Sequence, residues 1–135
     1  MRAIGFTLVE VAVVLAVATL LVTLAVPSSL GYLQKSRRSD AVTALTRLQQ
    51  AQEQFRAHHG VYSVSTRALL GASAARSEAG YYDITLVRVQ GERYEARALA
   101  RADAAQAKDQ ECTQLTLSVV DGLAEFGPNA RCWNR

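Results

Sequence analysis

Glu10 is the only charged residue among the twenty-one from Phe6 to Val26 in the opening run MRAIGFTLVEVAVVLAVATLLVTLAVP. A carboxylate in such surroundings has two ways to survive. Close to a membrane interface it can reach the headgroups, whereas at mid-bilayer its ionised form costs roughly 2.5–3.5 kcal/mol. Alternatively it can meet a cation, and no basic side chain lies within the run. A cut between Gly5 and Phe6 would create one, because a free α-amino group titrates near about 7.7–8.0 and is mostly positive at neutral pH. That amine would stand one helical turn from Glu10 in its own chain, or meet Glu10 of a neighbour. Two desolvated opposite charges compensate each other, and removing one strands the other at about 3–5 kcal/mol. The carboxylate then pins the register of packed helices.

Other residues invite chemistry and do less. Cys112 and Cys132 enclose nineteen residues; in an oxidising compartment they can close a disulfide, in a reducing one they are two buried thiols. Two thiols without a nearby histidine do not make a zinc site. His58 and His59 are adjacent, so on a helix they point about 100° apart and are poor joint ligands; a solvated helix end is the better reading. Lys35, Arg37 and Arg38 could touch lipid headgroups or DNA, but a solvated helix face is the simpler assignment. Tyr62, Tyr81, Tyr82 and Tyr94 fit sheet packing better than a base-stacking platform, and Trp133 is expected to pack on the loop that Cys112 and Cys132 bound. There is no Gly-rich phosphate loop, no GxSxG and no carboxylate pair at fixed spacing. No catalytic, metal-binding or cofactor-binding constellation is found, and no enzyme is predicted.

The elements that must position these residues follow from periodicity. A helix of twenty-one residues is about 31 Å long, close to the bilayer core of roughly 30 Å. The run exceeds the 7–15 residues or so of a secretory h-region, only Arg2 stands as a basic leader, and no small-residue cleavage site follows AVP. Past Pro27, Leu30, Leu33, Ala41, Leu45, Leu48 and Phe55 recur at helical spacings, the mark of one buried face. Gly60 after His58-His59 is a left-handed stop. The spacing therefore predicts one helix from Phe6 to about His59, kinked near Pro27. Residues 60–80 read as a connector with a short helical turn near Thr66–Leu70. From Tyr81 the period becomes two: Tyr82, Ile84 and Leu86; Tyr94, Ala96, Ala98 and Ala100; Leu115, Leu117 and Val119. Gly91-Glu92 and Asp121-Gly122 supply tight turns, the second leading into Leu123–Phe126. The fold class is α+β: a long helix, its first half apolar all round, packed by its second half on a four-stranded antiparallel sheet.

GFTLVE resembles the prepilin cleavage motif of type IV pilins and type II pseudopilins: glycine, a hydrophobic residue, Thr-Leu, an aliphatic residue and glutamate, here Gly5, Phe6, Thr7, Leu8, Val9 and Glu10. The resemblance implies cutting after Gly5 by a membrane aspartic prepilin peptidase, N-methylation of Phe6, and assembly of the mature chain into a helical filament in which Glu10 meets a neighbouring N-terminus. Pro27 matches the family's helix proline. The stretch VATLLVTLAVP departs from many relatives in having no glycine. YYDITL, RYEARALA, CTQLTLSVVDG and the terminal CW resemble the C-terminal half of proteobacterial pilins, closest to minor pilins of the PilE type, as does the helix exit LQQAQEQFRAHHGVYS. The type IV pilin fold is thereby implied, with a leader at 1–5, a membrane-spanning or filament-core helix at 6–27 and a periplasmic head at 28–135. Secretion of the head makes the Cys112–Cys132 disulfide the expected state, worth around 3 kcal/mol in the chain-entropy model.

The implied partners are other pilins, the prepilin peptidase, an inner-membrane assembly platform and the membrane itself; nucleic acid is a further possibility without its own motif. The implied function is a structural subunit, a minor pilin that helps initiate or adapt pilus assembly, with adhesion and twitching motility as the family's uses. The alternatives are a type II secretion pseudopilin, a minor pilin whose head captures DNA for uptake, and a bitopic protein that never polymerises. Counting charge alone, Lys35, Arg37 and Arg38 after the run against Arg2 before it favour a cytoplasmic head; the resemblance implies the opposite side.

Overall fold

A computed structural model describes residues 7–71 and 75–135, apart from the side chains of 24–29. The expected cleavage and methylation positions, Gly5 and Phe6, and the side chain of Pro27 lie outside the described residues. The chain divides into two compact units, Met1–Leu33 and Gln34–Arg135. One helix, α1 (Leu8–His59), contributes to both.

In the first unit, α1 begins at Leu8 with Thr7 just before it. The Glu10 backbone N–H donates to Thr7 Oγ1 at 3.3 Å, so Thr7 caps the helix. The hydroxyls of Thr19 and Thr23 fold back onto the carbonyls of Leu15 and Leu20 at 2.7 Å, which removes two polar groups from an otherwise apolar surface. From Leu8 to Val22 the valines and leucines are exposed all round. Among the described residues, no helix is long and apolar enough to cross a membrane. The span expected over 6–27 is therefore not carried by the described helix; Phe6 and the side chains of 24–27 fall outside it.

In the second unit, the inner stripe of α1 is Arg38, Ala41, Leu45, Leu48 and Gln52, all buried at alternating spacings of three and four. The predicted stripe is right at its centre and wrong at its ends. Leu30 and Leu33 are exposed and Phe55 is half-buried, while polar Arg38 and Gln52 take the end positions. The reason is local: both polar residues fasten loops, as described below, and an apolar residue there could not. The helix ends at Gly60, with φ +76° and its N–H donating to Arg56 O at 2.8 Å.

The strands are β1 (Tyr82–Gln90), β2 (Arg93–Ala100), β3 (Gln114–Val120) and β4 (Leu123–Gly127), antiparallel in the order β1-β2-β3-β4. Each lies next to its sequence neighbour, so two hairpins and one longer connection build the sheet. Asp121 and Gly122 both have positive φ, at +51° and +81°, the backbone of a type I′ turn. Tyr82, Ile84, Tyr94, Ala96, Ala98, Leu115, Leu117 and Val119 face inward with the α1 stripe and form the core. A register shift between Leu86 and Arg88 lets Val89 oppose Tyr94, so the alternation slips by one residue there. A short helix α2 (Thr66–Leu70) sits in the connector, capped by Ser65 Oγ accepting from the Ala68 N–H at 3.2 Å. A 3₁₀ turn at Ala105–Lys108 bridges β2 and β3; no periodic signal announced it.

Candidate functional site

Polar residues on α1 of the head tie down its loops one by one. Gln52 exchanges two hydrogen bonds with Ser63, Nε2 to the carbonyl and Oε1 from the N–H, each 2.8 Å, and fixes the helix exit. Asp40 accepts the backbone N–H groups of Ala79 and Tyr81 at 3.0 and 3.4 Å, fixing the entry to β1. Arg38 holds the 3₁₀ turn and the C-terminal segment together. Its Nε and Nη2 donate to the two oxygens of Asp109 at 2.7 and 2.8 Å, and its Nη1 donates to Arg131 O at 3.3 Å. Gln106 Nε2 completes the Asp109 shell at 2.6 Å. Both ion-pair side chains are buried, at 7% and 3% exposure. The hydrogen bonds that Arg38 donates to Asp109 raise its pKa, with burial acting against them, so the guanidinium is charged at every relevant pH. Burial pushes the nearby Tyr82 phenol up to about 12, with Gln106 opposing.

Arg38 is thus not part of a solvated basic face, as its neighbours Lys35 and Arg37 had suggested. Of that trio, Lys35 is exposed, and Arg37 lies over the Tyr81 ring at 5.4 Å. A run of three cations carries no signal that its last member turns inward. The one legible hint is that Arg38 sits three residues before Ala41, in phase with the buried stripe.

The two cysteines form the expected disulfide, with Cα atoms 5.4 Å apart and both residues fully buried. Its loop contains all of β3 and β4. Trp133 packs beside it, edge-on to Phe126 at 4.6 Å between centroids, and donates from Nε1 to Gly127 O at 2.8 Å. Asn134 Nδ2 reaches back to Lys35 O and Ser39 Oγ, both at 3.2 Å. His58 and His59 are exposed at the helix end, where His59 stacks on Phe55 at 4.0 Å.

The outward face of the sheet is the remaining candidate surface. Pairing aligns Gln90, Arg93, Val120 and Leu123 in one row and Arg88, Glu95, Ser118 and Glu125 in the next. A shallow depression of about 190 Å³ lies between them, bounded by Arg88, Arg93, Glu95, Ser118 and Val120. Glu95 pairs with Arg97 at 3.5 Å, whereas Arg88 and Arg93 make no ion pair among the described residues. Two free guanidinium groups beside a small hydroxyl can hold phosphate or carboxylate oxygens.

Residues 27–116, more than half of the 135-residue chain, match the family described as "Type IV minor pilin ComP, DNA uptake sequence receptor". No curated protein matches the chain.

Proposed function

Because the chain belongs to the family of the type IV minor pilin ComP, we propose that it is a minor subunit of a type IV pilus, cut after Gly5, N-methylated at Phe6 and packed into the filament through its N-terminal helix. The observation that carries the reading is the family match over 27–116, supported by a long helix laid on a four-stranded antiparallel sheet. The match speaks for a pilus subunit over a type II pseudopilin, and the PilE-like closeness of the head motifs adds nothing further to it. In this reading the segment 6–27 is a membrane span before assembly and filament core afterwards, and the head lies in the periplasm, where the Cys112–Cys132 bridge is stable. The head then takes part in initiating or adapting the fibre, through partners that include other pilins and the assembly platform.

Thr7 and Glu10 acquire complementary roles. Thr7 starts the helix, and Glu10 sits at its third residue, the place where a carboxylate also offsets the positive end of the helix dipole. The new amine at Phe6 would then stand four positions before this carboxylate in the chain. Mass spectrometry of the protein from its host is expected to find a chain beginning at a methylated Phe6. Glu10→Val is expected to leave folding and membrane insertion intact while filament incorporation drops at least tenfold, measured as pilus-borne against cell-retained protein. A chain that still starts at methionine, or normal incorporation of the variant, counts against the reading.

A second reading has its own observation. The matched family is named for a DNA uptake sequence receptor, and Arg88 and Arg93 stand unpaired on the outer sheet face. We infer DNA capture by this face. Duplex binding by the full chain should weaken steeply with salt and fall further in the Arg88→Glu, Arg93→Glu variant, with a shallower salt slope. Equal binding by variant and parent removes this face from the account.

A further inference from the structure

The head brings four exposed cations from three separate stretches of chain to one place. Gln34 Nε2 donates to Lys108 O at 3.5 Å, Arg38 Nη1 donates to Arg131 O, and Asn134 Nδ2 donates to Lys35 O. These bonds gather three stretches of chain, 34–39, 105–112 and 128–135. Lys35, Lys108, Arg131 and Arg135 are exposed on them. The same stretches contain two carboxylates, and Asp109 is buried against Arg38. The other, Glu111, pairs with Arg131. Elsewhere in the head Arg47, Arg56, Arg76, Arg97 and Arg101 are each matched by an acid, while Arg67, Arg88 and Arg93, outside these three stretches, make no ion pair among the described residues.

We propose that Lys35, Lys108, Arg131 and Arg135 form a docking surface for anionic lipid headgroups, which holds the head on the membrane until the subunit is taken into a filament. The inference rests on the reading of 6–27 as a membrane segment. Eight residues separate Val26 from Lys35. Even fully extended that tether spans at most about 30 Å, so the cluster stays at high effective concentration near the headgroups. A cation near an anionic leaflet strengthens association about fivefold, with the gain screened by salt. The ring chemistry disfavours stacking on nucleic-acid bases: Trp133 is buried, and Phe126 is half-buried beneath Arg135 at 4.3 Å. The buried Arg38–Asp109 pair fixes the scaffold of the cluster and adds no net charge to it.

The test uses the full chain reconstituted in phosphatidylcholine vesicles with and without phosphatidylglycerol. Ser36 and Thr46 are both exposed; each is changed in turn to cysteine and given a nitroxide label. The native cysteines are sealed in their bridge. We expect the Ser36 label to lose several-fold in collision rate with a water-soluble relaxation agent only when phosphatidylglycerol is present, and to regain it at high salt. The Thr46 label should not respond. Lys35→Glu with Lys108→Glu should abolish the effect at Ser36. No phosphatidylglycerol dependence, or one that survives this double change, overturns the proposal. Protection of Ser36 by a DNA duplex on neutral vesicles, with none from phosphatidylglycerol, overturns it in favour of a nucleic-acid surface. Flotation separates the two readings. A chain that floats with both vesicle types and shows no lipid dependence sinks only the docking surface, and one that floats with neither sinks the membrane segment as well.

Discussion

Replacing both Cys112 and Cys132 by serine is expected to lower the stability of the head by about 3 kcal/mol. The bridge joins positions 20 apart in sequence, so in the unfolded chain it removes the loop-closure entropy of that segment. The loop holds β3 and β4 entire, and β3 carries three fully or almost fully buried residues, Leu115, Leu117 and Val119. Reduction therefore frees the half of the sheet that faces solvent at the β4 edge, and β4 should unpair first. The two serine hydroxyls would also stand where both residues are fully buried, which adds a desolvation cost. Thermal unfolding of the full chain in detergent, oxidised against reduced and against the double serine variant, measures the effect. Against the roughly 5–15 kcal/mol by which folded domains are stable, about 3 kcal/mol is a large share. Coincident melting curves would mean that β3–β4 is held by its side-chain packing alone.

The central elements of this fold are written plainly in the sequence. Alternation marks β1, β2 and β3 because one face of the sheet is buried and the other solvated, whereas β4 is announced by the Asp121-Gly122 turn that leads into it. Gly60 stops the helix where its left-handed conformation is needed. What stays hidden is polar. Arg38, Asp40 and Gln52 look like ordinary surface residues of an amphipathic helix, yet each is consumed by a loop that the sequence leaves without periodicity. Their partners lie 71, 39 and 11 residues away, and no local pattern encodes a pairing at such distances. The 3₁₀ turn is invisible for the same cause: Ala105–Lys108 is made of good helix formers but is too short to show a period, and it is placed by Gln106 and Asp109 reaching α1.

The candidate sites divide along the same line. Glu10 can be read as unusual from composition alone, and so can the cysteine pair. In GFTLVE the spacing Thr7-x-x-Glu10 is also the opening of a capping box, a signal that a cleavage-motif reading overlooks and that the Thr7 hydrogen bond makes visible. The cation cluster is different in kind. Lys35, Lys108, Arg131 and Arg135 come from three distant segments, and only the fold shows that Asp109 is spent on Arg38, which leaves Glu111, paired with Arg131, as the one exposed acidic side chain among them.

Arg38→Ala is expected to cost about 3–5 kcal/mol, since it leaves the Asp109 carboxylate buried with Gln106 as its remaining side-chain donor. Asp109→Ala should cost a similar amount by stranding the guanidinium. The matched apolar pair, Arg38→Met with Asp109→Leu, should recover most of the loss, because both desolvation penalties disappear together. Arg38→Lys should fall in between: an ammonium cannot supply the two parallel bonds to Asp109 and the third to Arg131 O. The Arg38 pKa is raised in the fold, chiefly by its bond to Asp109, so its contribution is complete at neutral pH and fades only at an alkalinity where the protein would no longer be studied. Because Arg38 also holds the carbonyl next to Cys132, the loss should not add to that of the disulfide. In urea unfolding of the four combinations of Arg38→Ala and the double serine change, the combined variant should lose less than the total of the two. Strict additivity would show that clasp and bridge act on separate parts of the C-terminal loop, and a mild effect of Arg38→Ala alone would mean that solvent reaches Asp109 without disrupting the turn.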